Sequence, residues 1–121
     1  MIIYISGKMS DLTKEEYQPI FRAAHERLAA EGHKVFNPAV DEWVDWLNLS
    51  YERVYGLRVE VYEDILLADL QFLLGIYTAN PKETAIYMLS NWQQSNGAQT
   101  EHWYAKAIGM RIIYEDPNTK A

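Results

Sequence analysis

Apolar positions along the chain switch between two patterns. Ile2 to Ser6 is a short apolar run rich in β-branched residues and ends at Gly7, the pattern of a buried strand. Lys8 to Thr13 is polar and predicts a loop. Asp11 or Thr13 is placed to cap a helix whose first turn carries Glu15 and Glu16, which complement the helix dipole. Tyr17, Phe21, Ala24, Leu28 and Ala29 recur at three-and-four spacing, so this helix buries one face and runs to about Glu31, with Gly32 as its C′ residue. Lys34 to Phe36 predicts a second strand, stopped by Asn37-Pro38. From Glu42 to Leu74 the spacing is helical, in two or three pieces. Trp43, Trp46, Leu47 and Tyr51 mark the first, Gly56 is a break, and Val59, Tyr62, Ile65, Leu66, Asp69, Leu70 and Leu73 mark the continuation. Gly75 to Glu83 holds Gly, Asn and Pro and predicts a loop. Ala85 to Leu89 is a third strand, Ser90 to Gly97 a polar loop holding Trp92, Ala98 to Ile108 a helix ended by Gly109, and Met110 to Tyr114 a last strand before a polar tail.

Short apolar strands alternating with helices predict an α/β domain with a parallel sheet and helices on both faces, of Rossmann or flavodoxin-like type. Ligands of such sheets bind beyond the carboxyl ends of the strands. The segments of interest are therefore Ser6-Gly7-Lys8-Met9, Asn37-Pro38 and Ser90 to Glu101.

Composition narrows the picture. At 121 residues the chain reads as one domain over 1–121, with 114–121 as tail. Eleven Lys and Arg against 17 Asp and Glu argue against a nucleic-acid polymer, which needs a cationic surface. One phosphorylated small molecule remains compatible, because a few backbone N–H groups hold it. Cysteine is absent, so thiol catalysis and Cys-based metal sites are excluded, and His25, His33 and His102 have no metal-ligand spacing. No apolar run is long enough for a membrane span, and the first residues read as a strand rather than a signal peptide. The expectation is a cytoplasmic protein without a metal or other cofactor.

The strongest constellation is Trp92 to Glu101, a polar loop running into a helix. Free N–H groups at the helix start, near Asn96 and Gly97, form an anion site to which Ser95 adds a hydroxyl. Glu101, expected in the first turn, would project toward the same crevice. From spacing alone a capping box or a favourable dipole partner is the commoner role for such a Glu, and a nucleophile toward a sugar carbon is the functional one. Gly7 allows close backbone approach or simply makes a turn. Strand alternation puts Tyr4 and Ser6 on one face, where a Tyr is commonly packing. Asp69 stands among Leu66, Leu67, Leu70 and Leu73 and is either a functional acid or an exposed edge position.

Together these segments resemble a small phage and bacterial family allied to the nucleoside 2-deoxyribosyltransferases and deoxynucleoside 5′-monophosphate N-glycosidases. The resemblance lies in Tyr4-Ile5-Ser6-Gly7-Lys8-Met9-Ser10, in Val35-Phe36-Asn37-Pro38, and in Ile86-Tyr87-Met88-Leu89. It continues through Trp92, Ser95-x-Gly97-Ala98-x-x-Glu101-His102 and Ala105-x-x-x-Gly109. It implies a homo-oligomer with sites near subunit contacts, Glu101 as nucleophile, Asp69 as the acid that handles the leaving base, and Tyr4 as the residue orienting Glu101. It further implies a phosphate seat at Gly7, Lys8 and Ser95. The chain departs from the family pattern at Gly75 to Thr84, a longer link with Thr84 where an Asp is usual, which also brings Asp64 into view as the second acid.

The resulting expectation is cleavage or transfer at the N-glycosidic bond of a deoxynucleoside or its 5′-monophosphate, through an ester on Glu101. Ser6, Asn37 and Asn96 are further substrate-binding candidates, and Met9, Trp43, Trp46 and Trp92 would sandwich the base or pack in a core or oligomer contact. The alternatives are a nucleotide-binding sensor, sponge or regulator that leaves its ligand intact, and a purely structural oligomer.

Overall fold

A computed structural model describes residues 1–47 and 62–121, with the side chains of 62–64 excepted. The periodic positions Tyr51 and Val59, the Gly56 break and the Asp64 side chain therefore lie outside the described residues.

Four parallel strands form the sheet: β1 (Ile2–Ser6), β2 (Lys34–Phe36), β3 (Thr84–Met88) and β4 (Arg111–Tyr114), in the order β2-β1-β3-β4. Helix α1 (Lys14–Ala30) joins β1 to β2. A helix α2, described over 42–47, and α3 (Tyr62–Ala79) lie between β2 and β3, and α4 (Asn96–Ile108) joins β3 to β4. The chain first steps from β1 outward to β2, then crosses to the other side of β1 for β3. Right-handed crossovers then require α1 on one face and α3 and α4 on the other. The buried residues divide in that way. Ile3, Ile5, Tyr87 and Leu89 pack with Phe21, Ala24 and Leu28 of α1. Tyr4, Ile86 and Met88 pack with Ala68 and Leu73 of α3 and Ala98 and Ala105 of α4. The α/β fold expected from the alternating pattern is the fold observed. The reversal of direction falls between β1 and β3, which is where such sheets open a crevice at their carboxyl ends.

Local chemistry fixes the element ends. Thr13 caps α1 in a reciprocal box, with its backbone N–H donating to Glu16 Oε1 at 2.8 Å. Gly109 terminates α4 in the left-handed conformation at φ 83°. Two expectations need correction. Gly75 to Glu83 is not wholly a loop, because α3 continues through Gly75 to Ala79. Ile76 and Tyr77 extend its apolar face onto the core, and the Thr84 hydroxyl donates to Asn80 O at 2.7 Å and Ile76 O at 3.2 Å, satisfying carbonyls at the helix end. Helix α4 begins at Asn96 rather than Ala98, so Glu101 stands in its second turn and not its first.

Gly7 illustrates a packing requirement. A Cβ there would lie 2.5 Å from Leu89 Cδ1 and 2.9 Å from Leu89 Cβ, and Leu89 is fully buried. Gly7→Ala is expected to cost about 1–3 kcal/mol through overpacking, read as a lower denaturant midpoint with an unchanged m-value. Among the described residues no helix is long and apolar enough to cross a membrane.

Candidate functional site

A cleft of about 470 Å³ opens at the carboxyl ends of β1 and β3. Its floor is made by two carboxyls. Glu101 reaches it from α4, whose buried face runs through Ala98, Glu101, His102 and Ala105. Asp69 reaches it from α3, next to Ile65 and Leu66 in the cleft wall. Both carboxyls are nearly closed to solvent, Asp69 at 7% exposure and Glu101 at 6%.

A buried carboxylate needs partners, and β1 supplies those of Glu101. Residues two apart in a strand share a face, so Tyr4 and Ser6 both point toward α4. The Tyr4 hydroxyl donates to Glu101 Oε2 at 2.6 Å and the Ser6 hydroxyl to Oε1 at 2.8 Å. Each oxygen receives one hydrogen bond, and each keeps lone-pair capacity. For Asp69 the partner comes from α2: the Trp43 indole N–H donates to Oδ1 at 2.9 Å. Trp43 is fixed in turn by Tyr4, Trp46 and Phe72, with ring centroids 6.0, 5.3 and 5.2 Å away.

The electrostatics follow from this enclosure. Burial pushes Asp69 up to about 6, against the hydrogen bonds from Trp43 and Tyr4. Burial also pushes Glu101 up to about 8, the nearby Asp69 charge adds to that rise, and the bonds from Tyr4 and Ser6 oppose it. The carboxyls titrate as a pair that holds one proton across the neutral range. Burial, with the charges of both carboxyls beside it, holds Tyr4 well above the usual tyrosine range, so it remains a donor. A shared proton between two enclosed carboxyls is the arrangement of general acid chemistry beside a nucleophile.

Trp43→Phe removes the donor to Asp69. The expected outcomes are a further rise of the Asp69 pKa, read from its side-chain carbonyl titration by NMR, and a loss of about 1–3 kcal/mol of stability at pH 8, read by denaturant unfolding.

Compared with known families, residues 1–114 match the model of DUF4406, described as a domain of unknown function. The chain belongs to the DUF4406 family. No curated protein and no solved structure matches it.

Within this DUF4406 domain the other expected residues divide in two. Gly7, Met9, Ser95 and Gly97 line the cleft together with Trp43, and Tyr4 and Ser6 stand behind Glu101. Ser95 is the N-cap of α4, its Oγ accepting from Ala98 N at 3.2 Å, and among the described residues its own proton has no acceptor, which suits it to donate to a ligand. Lys8, Asn37, Trp92 and Asn96 do not line the cleft. The Lys8 backbone N–H donates to Asn91 at 3.0 Å. Asn37 shapes the turn after β2, accepting from Ala39 N at 2.9 Å. Trp92 is a core residue, stacked on His102 at 4.1 Å between ring centroids, with its indole N–H on Thr119 of the tail. Asn96 is exposed at the start of α4, where its carbonyl accepts from Thr100 at 2.8 Å. Trp46 packs beside Trp43, 41% exposed, outside the cleft lining.

The sequence left several cleft residues unnoticed. Lys14 and Tyr17 come from the first turns of α1, and Ala39, Val40 and Asp41 from the turn after β2, beside Pro38 of the expected Asn37-Pro38 segment. The capped start of α1 shortly after a strand was the available signal, because it places the first helical turn at the carboxyl edge of the sheet.

Proposed function

We propose that the domain cleaves, or transfers at, the N-glycosidic bond of a 2′-deoxynucleoside or its 5′-monophosphate. The observation that carries this reading is Glu101, enclosed, held through both oxygens by Tyr4 and Ser6, and facing the same cleft as the proton-sharing Asp69. The resemblance of the β1 and α4 segments to deoxyribosyl-transferring enzymes supports the choice of sugar and bond.

In the first step a Glu101 oxygen attacks C1′ as the C1′–N bond breaks. The pair's one proton is held more tightly by Glu101, so the reactive form is the minor one in which that proton sits on Asp69 and Glu101 is ionised. The electron pair of the breaking bond goes to the base nitrogen, which takes this proton from Asp69. The products are a free base and a deoxyribosyl ester of Glu101. In the second step water, or the nitrogen of another base, attacks C1′. Asp69, now a carboxylate, accepts the proton that this nucleophile sheds, and the C1′–O bond to Glu101 breaks. Two displacements retain configuration at C1′, the logic of retaining glycoside hydrolysis. Tyr4 and Ser6 fix the nucleophile and stabilise its charge as it is regenerated. Met9 and Trp43 provide apolar surface for the base, and Ser95 and the N–H groups at the start of α4 provide donors for sugar or phosphate oxygens.

The test is incubation of the purified protein with each deoxynucleoside and each monophosphate, followed by chromatographic detection of free base. Base release that requires Glu101 supports the reading. Ligand bound and recovered with its glycosidic bond intact, under all these conditions, would replace it with a binding protein.

A further inference from the structure

Among the described residues, the cleft's lining contains one cationic side chain, Lys14, against three carboxyls, Asp41, Asp69 and Glu101. Lys14 is engaged: its ammonium lies 2.5 Å from Asp41 Oδ1 at the cleft mouth. Gln18 fixes the same carboxylate, its amide donating to Asp41 Oδ1 at 2.9 Å. The neighbouring Lys8 does not reach the cleft. A phosphate entering here meets no unengaged ammonium among the described residues, displaces Asp41 from Lys14 or sits beside it, and approaches the Asp69–Glu101 pair, which carries one negative charge across the neutral range. Like charges brought together in a partly enclosed cleft are strongly disfavoured, whereas an uncharged ligand meets no such opposition.

We infer that Asp41 sets the substrate class, keeping Lys14 occupied so that the site selects an uncharged nucleoside over its 5′-monophosphate. The inference rests on the proposed glycosidic chemistry for its substrate and deepens it by choosing between the two forms. Asp41 acts by charge: its pair with Lys14 is about half exposed, with side chains 52% and 59% accessible, and pairs of that kind contribute little to folding. Asp41→Asn therefore retains the fold and releases Lys14 toward a phosphate.

The experiment compares kcat/KM for a deoxynucleoside and the 5′-monophosphate of the same base, in the parent protein and in Asp41→Asn, Asp41→Glu and Asp41→Asn/Lys14→Met. The parent is expected to favour the nucleoside by at least about tenfold. Asp41→Asn should raise the monophosphate-to-nucleoside ratio about tenfold, Asp41→Glu should preserve the parent ratio, and the double variant should cancel the gain. Thermal-shift titrations of Glu101→Gln with both ligands separate this inference from the chemistry. Preferential binding of the nucleoside without base release by the parent overturns the chemistry and keeps the selectivity. Preferential turnover of the monophosphate, or an Asp41→Asn ratio equal to the parent's, overturns the selectivity and keeps the chemistry. Binding of neither ligand overturns both.

Discussion

Glu101→Gln is expected to abolish the proposed base release and to make the protein more stable. The loss of activity is expected to be about a thousandfold or greater, because an amide oxygen is a poor nucleophile and forms no stable ester with C1′. The stability effect has the opposite sign from an ordinary core substitution, and the reason is the proton. Burial raises the Glu101 carboxyl from its usual 4.5 to about 8. A group whose folded-state pKa lies above its unfolded value binds protons more tightly when folded. Its contribution to stability is complete below the unfolded value and is lost as the pH rises through the folded one. Glutamine keeps the shape and the hydrogen-bonding oxygen without the charge. The variant is therefore expected to melt about 5–10 °C above the parent at pH 9, and the gain should shrink toward zero near pH 4. A Glu101 held ionised by its hydrogen bonds at neutral pH would instead give a variant equal to or weaker than the parent from pH 7 upward. The stability readout tests the raised pKa, and the base-release readout tests the nucleophile.

Asp69→Asn is expected to lower kcat/KM by about a hundredfold or more and to change the shape of its pH dependence. In the parent the carboxyl pair sheds its first proton near 6 and its second near 8. The reactive form holds one proton, so the profile is a bell with an acid limb near the first value and an alkaline limb near the second. Asparagine cannot supply a proton to the leaving base, so the alkaline limb disappears and the rate stays flat at high pH. The Asp69 charge is one cause of the high Glu101 pKa. Its removal lowers Glu101, and the remaining limb, where the nucleophile ionises, follows that lower value. Bases that depart readily without protonation should lose least, which separates loss of the acid from general damage to the site.

The backbone was more legible than the site, for physical reasons that differ residue by residue. The strand at Ile2–Ser6 and the helix at Lys14–Ala30 follow from local periodicity, and the Thr13–Glu16 box needs only residues three apart. Gly75 misled because a glycine beside Thr78, Asn80 and Pro81 has the composition of a loop. The helix survives it because Ile76 and Tyr77 pack on the core, a tertiary gain that outweighs about 1 kcal/mol of propensity. Tyr4, Ser6 and Glu101 were legible as types at the ends of elements, since strand alternation aims the first two at one face. Their joint grip on one carboxyl is a contact across more than 90 residues, with separations of 97 and 95. The Trp43–Asp69 bond is likewise non-local. Trp92 has an aromatic side chain beside a strand end, which suits a ligand platform, but His102 two helical turns on from Ser95 claims its ring. Lys14 was hidden because a lysine at a helix start resembles any solvated charge. Only the fold brings it opposite Asp41.

The central claim is a covalent ester on Glu101, and it is tested most directly by rapid-quench mass spectrometry of the whole protein during turnover of a deoxynucleoside, followed by peptide mapping. The expected result is a transient deoxyribosyl adduct, formed in step with the first released base and mapped to Glu101. An adduct mapped to another residue, or a burst of base release with the protein mass unchanged throughout, would contradict it.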